Sequence, residues 1–195
     1  GEFVGFDMDI IREVGRRLGL EVRIENVAWE GIIPGLLAGH YDAIISAMTI
    51  TDERAQAVNF SDPYFATGQV ILVRADDDRI QVPADLAGTR VAVQIGTTGH
   101  FAAENIDGAL VDHYPLTPDA LLALKLGRAD AAVVDELVAL EEARANPGEV
   151  KVVGTPFTIE YYGIAMRKGG DDLLRDINRA LAQMKADGTY DEIYD

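Results

Sequence analysis

The chain has 195 residues, of which 48% are hydrophobic and 26% are charged, and it contains no cysteine. This composition and length suit one large globular domain or two small ones, and the lack of cysteine excludes disulfides, thiol catalysis and thiolate metal sites. The net charge of −16 argues against a nucleic acid or an anionic lipid as partner.

The first part of the chain alternates between helical and strand patterns. Helices are predicted at 7–19, where apolar residues recur on one face, and at 30–38. Strands are predicted at 21–27, 42–48 and 69–74. This βαβ alternation predicts an α/β fold with a parallel sheet and helices on its faces.

The same alternation starts again after an acidic turn. It predicts a helical turn at 83–88 and strands at 90–95, 110–114, 129–134, 150–153 and 161–167. It also predicts a turn at 96–99 that leads into a helix running to about 106, and helices starting at 117 with Thr117 as N-cap, at 136–145, at 171–187 and at 189–194. The pattern breaks near 64–68 and near 159–163. These breaks predict two α/β lobes with a cleft between them, formed by residues 1–66 plus 162–195 and by residues 67–161.

The first candidate site lies where the apolar run at 43–47 gives way to a short helix. Thr51 suits the N-cap of that helix, and Arg54 follows in its first turn. Ala47 and Thr49 lie on the strand end itself. Free backbone N–H groups, the positive end of a helix dipole and a guanidinium together would form a receptor for a small carboxylate. Alternatively, Arg54 is solvated or pairs with a neighbouring acid.

Two further strand ends carry polar groups. Thr97 and Thr98 follow one strand at a glycine-bounded helix start, and Asp135 directly follows the apolar run at 131–134. Open α/β sheets bind ligands at the carboxyl ends of their strands. An arginine and an aspartate from opposite lobes would therefore hold the two charges of an α-amino acid. Helix capping is the alternative for all three of these residues.

Other conspicuous residues have ordinary explanations. The single tryptophan, Trp29, is expected to pack in the core. His40, His100 and His113 show no metal-ligand spacing and are expected at the surface. The turn at 96–99 is not a P-loop, because no lysine follows it.

Five stretches together resemble the extracellular solute-binding proteins of family 3, the polar amino-acid receptors of ABC transporters. The stretches are VGFDMDIIREVGRRLG, WEGIIPGLLAGHYDAIISAMTITDERAQAVNFSDPYF, LAGTRVAVQIGTTG, ADAAVVDE and KADGTYDEIY. The resemblance implies a type II periplasmic-binding-protein fold with two hinge segments, and a periplasmic or extracellular protein, with a membrane-anchored lipoprotein as a variant. It also implies a membrane permease as partner, and neither a cofactor nor a metal.

The resemblance also implies a role for each site residue. Arg54, with Thr49 and Thr98, would bind the α-carboxylate of the ligand, with Thr97 beside them. Asp135, with the Ala47 carbonyl and the Thr49 hydroxyl, would bind the α-ammonium group. The side-chain pocket would be lined by Trp29, Ser46, Gln94 and Val134. These positions include no lysine or second arginine, which disfavours acidic ligands. We expect arginine or glutamine, followed by histidine and lysine.

One departure from the family concerns its first strand, which would precede the segment at 1–5 and pair with the strand at 21–27. This strand has no counterpart in the chain, and the C-terminus also stops shortly before the family's usual end. The resulting free sheet edge predicts pairing with another copy, as a dimer or by strand exchange.

Two other functions fit the same fold. A cyclohexadienyl dehydratase-like enzyme would need a general acid in the cleft, and Glu53, Glu136 and Glu160 are acids near the predicted strand ends. Helix-surface or loop positions account for each of them equally well. The chain would alternatively serve as the ligand-sensing module of a receptor.

Overall fold

The computed structural model describes residues 2–195. The chain divides into two compact units. Unit 1 comprises Gly1–Phe65 and Tyr161–Asp195, and unit 2 comprises Ala66–Glu160. Both predicted boundaries lie one residue further along the chain than these.

The helices and strands alternate along most of the chain. The helices are α1 (Phe6–Leu18), α2 (Trp29–Leu37), α3 (Asp52–Ala57), α4 (Thr98–Glu104), α5 (Thr117–Lys125), α6 (Glu136–Ala145), α7 (Asp171–Asp187) and α8 (Thr189–Tyr194). The strands are β1 (Ala43–Ile44), β2 (Val58–Phe60), β3 (Phe65–Thr67), β4 (Gln69–Arg74), β5 (Arg90–Gln94), β6 (Leu110–Tyr114), β7 (Ala131–Asp135), β8 (Val150–Val153), β9 (Glu160–Tyr162) and β10 (Ala165–Arg167). A short 3-10 helix spans Pro83–Leu86. Among the described residues, no helix is both long and apolar enough to cross a membrane.

Unit 1 contains a three-stranded sheet in the order β1-β10-β2, and β10 is antiparallel to both neighbours. The prediction of a parallel sheet is therefore wrong for this unit. The reason is that a strand from the far end of the chain inserts between β1 and β2. Helices α1 and α7 contribute Ile10, Val14, Ile177 and Leu181 to the core beside this sheet, and all four are at most 2% exposed.

The predicted strand at 21–27 is wrong, because residues 20–28 have no regular secondary structure. No described strand pairs with this segment, and a strand needs a partner for its backbone hydrogen bonds. The alternating apolar and charged residues that suggest this strand do alternate in burial, since Val22 and Ile24 are half-buried while Arg23 and Glu25 are exposed. Asn26, which the pattern places on the same side as Val22 and Ile24, is exposed. The predicted strand at 42–48 shrinks to β1, where only two residues pair with β10.

Unit 2 contains a five-stranded sheet in the order β6-β5-β7-β4-β8. The strands β6, β5 and β7 are parallel, as predicted, whereas β4 runs antiparallel to both β7 and β8. The sheet is covered on both faces. Leu72 and Leu124 lie in one apolar cluster, and Val73 and Val93 lie in the other. A sheet buried on both faces has nearly continuous apolar strands, which explains the run of β4.

The predicted strand at 161–167 is divided into β9 and β10. Strands β3 and β9 form a separate two-stranded sheet. The boundary between the units falls within each of them, after Phe65 in β3 and after Glu160 in β9. They are the two breaks that the sequence pattern indicated.

Candidate functional site

In unit 1, the segment that follows β1 has an unusual backbone conformation at Ala47. Ala47 has a φ of 46°, the one positive value at a non-glycine residue among those described. Its N–H donates to Asp7 Oδ2 at 2.6 Å, and the other carboxylate oxygen of Asp7 accepts from the Tyr64 hydroxyl at 2.9 Å. Burial raises the pKa of Asp7, and it raises the pKa of Tyr64 well above its usual range. The half-buried Asp7 carboxylate thus holds the backbone N–H of a residue whose conformation non-glycine residues avoid.

The helix that carries Arg54 begins as predicted. The Thr51 hydroxyl accepts from the Arg54 N–H at 3.1 Å, which is the N-cap hydrogen bond of α3. The Arg54 guanidinium donates to the Thr49 carbonyl at 2.8 Å, and its Cζ lies 5.3 Å from the centre of the Trp29 ring. That distance is within the range of a cation–π interaction. Trp29, Thr49 and Arg54 therefore form one cluster. Trp29 also packs against the apolar core of its unit, as expected from the sequence.

Ser46 lies two residues after β1 in unit 1. It is exposed and lines a cavity of about 650 Å³ together with residues 20–27 and 40–45 and one face of α1. Trp29, Thr49 and Arg54 are not among the residues that line this cavity.

In unit 2, the ends of β4 and β7 meet at Gln69 and Asp135, which are paired in the antiparallel register. The Gln69 amide nitrogen donates to Asp135 Oδ1 and also lies 3.3 Å from both Thr98 Oγ1 and Glu160 Oε2. The Thr98 hydroxyl donates to Glu160 Oε2 at 2.8 Å. One buried amide therefore connects Thr98 and Asp135, two residues that the sequence selected separately.

Sequence reasoning missed Gln69 altogether and considered Glu160 only as a general acid. Gln69 is 0% exposed and Glu160 is 7% exposed, and buried polar side chains of this kind are uncommon. Glu160 also accepts from the Thr158 hydroxyl at 3.0 Å. The available signal was a glutamine at the start of an otherwise apolar strand, in QVILVR. No local pattern marks Glu160.

Gln94 and Thr97 are held by hydrogen bonds near the carboxyl end of β5. The Gln94 amide donates to the Pro115 carbonyl at 2.9 Å and accepts from the Thr117 hydroxyl at 2.7 Å. Thr97 accepts from the His100 N–H at 3.1 Å, so the capping alternative is correct for this residue. The helix predicted from Thr117 is confirmed, but Leu116 rather than Thr117 is its N-cap.

Asp135 occupies the N-cap position of α6 without making a side-chain capping hydrogen bond. The capping alternative is therefore wrong for this residue, and its carboxylate interacts with Gln69 instead. The neighbouring Val134 is 6% exposed and packs in the apolar core of unit 2.

The histidines differ from the prediction. His100 lies against His113, with 2.9 Å between their Nε2 atoms, and the side chain of His100 is only 12% exposed. The prediction of a surface position is therefore wrong for His100, whereas His113 is exposed as predicted. The prediction that the histidines are scattered is wrong for this pair, because α4 and β6 bring the two together. His40 is exposed, as predicted.

Comparisons with known proteins agree on one family. The family model for bacterial extracellular solute-binding proteins, family 3, matches residues 1–195. The ABC transporter glutamine-binding protein GlnH of Bacillus subtilis (strain 168) is 39% identical over 198 residues, which cover all of this chain and 72% of the relative.

Solved structures show the same similarity. An ancestral arginine-binding protein has been solved with bound arginine; it has a TM-score of 0.96 and 44% identity, and the match covers 100% of this chain and 88% of that one. An ancestral arginine-binding protein has also been solved with bound glutamine, with a TM-score of 0.96 and 44% identity. The ancestral amino acid-binding protein AncCDT-1, a precursor of cyclohexadienyl dehydratase, has a TM-score of 0.92 and 42% identity, with 100% of this chain and 84% of that chain covered. These likenesses confirm the type II periplasmic-binding-protein fold.

Proposed function

The chain belongs to the bacterial extracellular solute-binding proteins of family 3, and we propose that it binds a free polar L-amino acid and delivers it to the permease of an ABC transporter. One observation carries the proposal. Unit 1 presents the Arg54 guanidinium beside an aromatic ring, and unit 2 presents the Asp135 carboxylate at a strand end. These are the two charges that complement the head group of an amino acid.

Each charge has a defined task. Arg54 binds the α-carboxylate of the ligand with help from Thr49 and Thr98, since a guanidinium recognises a carboxylate through paired hydrogen bonds. Asp135 binds the α-ammonium group together with the Ala47 carbonyl and the Thr49 hydroxyl. Both charges act on the same ligand, so each is expected to add to its affinity.

The ligand side chain selects among amino acids. Trp29 offers a flat face to a guanidinium or an amide, and Gln94 brings no positive charge to the pocket. An acidic side chain would lack a partner there, at a substantial desolvation cost. Arginine and glutamine are therefore the favoured ligands, followed by histidine and lysine. The ligands of similar proteins support this choice, because they include glutamine and arginine.

A thermal-shift screen against the twenty amino acids tests the proposal, with calorimetry on each hit. Arginine or glutamine is expected to raise the melting temperature most, because a ligand that binds only the folded state stabilises it. Agmatine, which is arginine without its α-carboxylate, is the matched control and is expected to have little effect. If no free amino acid shifts the melting temperature, the proposed function is wrong.

We propose that the protein is not an enzyme. The likeness to a precursor of cyclohexadienyl dehydratase makes that activity the rival to test. Glu160, a possible general acid, accepts hydrogen bonds from Thr98 and Thr158 and lies 3.3 Å from the Gln69 amide nitrogen. These contacts suit a structural carboxylate. A spectrophotometric assay with prephenate and arogenate is expected to show no aromatic product, and turnover of either compound would favour the enzyme.

The family is one of extracellular proteins, and we place this protein in the periplasm or outside the cell, either released or held by a lipid anchor. Pairing with a second copy along the segment at 21–27 stays a prediction, to which the relatives give no support. Size-exclusion chromatography coupled to light scattering tests this pairing, because it measures whether the particle has the mass of one chain or of two.

A further inference from the structure

Unit 2 carries a cluster of two histidines and a glutamate that are not among the residues proposed to bind the amino acid. His100 and Glu104 are four residues apart and share one face of α4, and His113 lies on β6. His100 Nε2 is 2.9 Å from Glu104 Oε1 and 2.9 Å from His113 Nε2, and His113 Nε2 is 3.3 Å from the same glutamate oxygen. The three side chains thus point three potential metal-ligand atoms at one place.

We propose that His100, Glu104 and His113 form a zinc-binding site. Imidazole nitrogen and carboxylate oxygen both bind Zn²⁺, at about 2.0–2.2 Å, and a tetrahedral ion with such bonds separates its ligand atoms by about 3.3 Å. The ligand atoms already lie within 4.8 Å of one another. An ion therefore fits after the closest of them move apart by a few tenths of an ångström.

The exposure of the three side chains suits a site that an ion enters from solvent. The His100 side chain is 12% exposed, whereas those of His113 and Glu104 are 39% and 48% exposed. One ligand is thus anchored inside the unit and two reach it from the surface. Water completes the coordination at the open position, as in zinc sites that have three protein ligands.

The His100 ring is already oriented by its neighbours. It stacks on Phe101 with 4.7 Å between ring centres, and its Nδ1 accepts from the Gly96 N–H at 3.1 Å. Neutral His100 therefore carries its proton on Nε2. Zinc takes the Nε2 lone pair, the proton moves to Nδ1, and the hydrogen bond from Gly96 is lost. This loss makes the site weaker than a preformed structural zinc site.

Selectivity separates this site from general cation binding. The chain has a net charge of −16, so divalent cations collect around it without any specific site. Calcium and magnesium prefer oxygen ligands and gain little from imidazole. A site made of two imidazoles and one carboxylate therefore binds zinc far more tightly than calcium.

Calorimetry with zinc chloride at pH 7.5 and 150 mM sodium chloride tests the proposal. The wild-type chain is expected to bind one zinc ion, and His113→Gln and Glu104→Gln are each expected to weaken binding at least about tenfold, because each removes a ligand. Both residues are exposed, so the variants are expected to keep the wild-type circular dichroism spectrum. His40→Gln, which changes the exposed histidine of unit 1, is the matched control and is expected to bind zinc as the wild type does.

Three results would overturn the site. The first is the absence of one-to-one zinc binding to the wild type. The second is zinc affinity that neither His113→Gln nor Glu104→Gln reduces, and the third is calcium binding of equal affinity. Because amino-acid binding is read separately with arginine or glutamine, failure of the zinc site leaves the proposed function standing.

Discussion

Gln69 and Asp135 face each other across the antiparallel β4–β7 ladder, and the Gln69 side chain donates a hydrogen bond to the Asp135 carboxylate. The same amide nitrogen lies 3.3 Å from Glu160 Oε2. A neutral donor thus sits between two carboxylates inside unit 2 and orients the one proposed to bind the ligand's ammonium group. Two carboxylates so placed would repel each other without it.

Gln69→Leu is expected to lower the free energy of unfolding by about 1–3 kcal/mol, since it removes the buried donor that Asp135 and Glu160 share. Ligand affinity is also expected to fall, because Asp135 loses the group that orients it. Chemical denaturation and calorimetry measure the two effects. Gln81→Leu replaces an exposed glutamine of the same unit and is expected to change neither; an unchanged Gln69→Leu variant would show that the amide is dispensable.

Gly99→Ala is expected to destabilise the protein by about 1–3 kcal/mol through overpacking. A Cβ at this position would lie 2.6 Å from Gln69 Oε1 and 3.0 Å from the Val133 carbonyl oxygen. Gly31→Ala is the matched control, because a Cβ on this exposed residue of α2 meets nothing within 4 Å. It is expected to stabilise by about 0.5–1 kcal/mol through helix propensity. Equal melting temperatures for the two variants would contradict the packing described around Gln69.

Arg54→Ala is expected to weaken binding of arginine or glutamine by about 2–5 kcal/mol, which is at least about 30-fold, because the ligand carboxylate loses its charged partner. Calorimetry on the purified variant measures the change. Arg179→Ala removes an exposed guanidinium that pairs with Asp176 on α7 and is expected to bind as the wild type does. Unchanged affinity in Arg54→Ala would remove Arg54 from the site.

The pH dependence of stability is expected to depend on Glu13. Hydrogen bonds from Arg16 and Arg17 lower the pKa of this glutamate from 4.5 to about 2. A carboxyl group with a lowered pKa in the folded state adds stability above its unfolded pKa and loses it as the pH falls through the folded value. The contribution of Glu13 is therefore present above pH 4.5 and disappears towards pH 2.

Scanning calorimetry of Glu13→Gln checks this expectation. The variant is expected to melt a few degrees below the wild type at pH 6 and at nearly the same temperature close to pH 2. Glu30→Gln, at an exposed position of α2, serves as the control and is expected to follow the wild type throughout. A constant difference between Glu13→Gln and the wild type at every pH would rule out a role for the ionised carboxylate.

Local sequence patterns predicted the elements whose stabilising hydrogen bonds lie within a few residues. The bounds of α6, α7 and α8 agree with the predicted helices, and Thr51 caps the helix that carries Arg54. The two α/β lobes and the family also followed from the sequence, because the alternation of elements and the matching stretches run along the whole chain. Each of these predictions rests on patterns that can be read from residues close together in the chain.

Tertiary structure decided what depends on residues far apart in the chain. The insertion of β10 between β1 and β2, the antiparallel position of β4, and the contact between His100 and His113 have no local signal. The segment at 21–27 has the alternation of a strand but no described partner, and so forms none. The physical reason is that a strand's hydrogen bonds are made with another segment, so its pattern shows which side chains are buried but not which segment it pairs with.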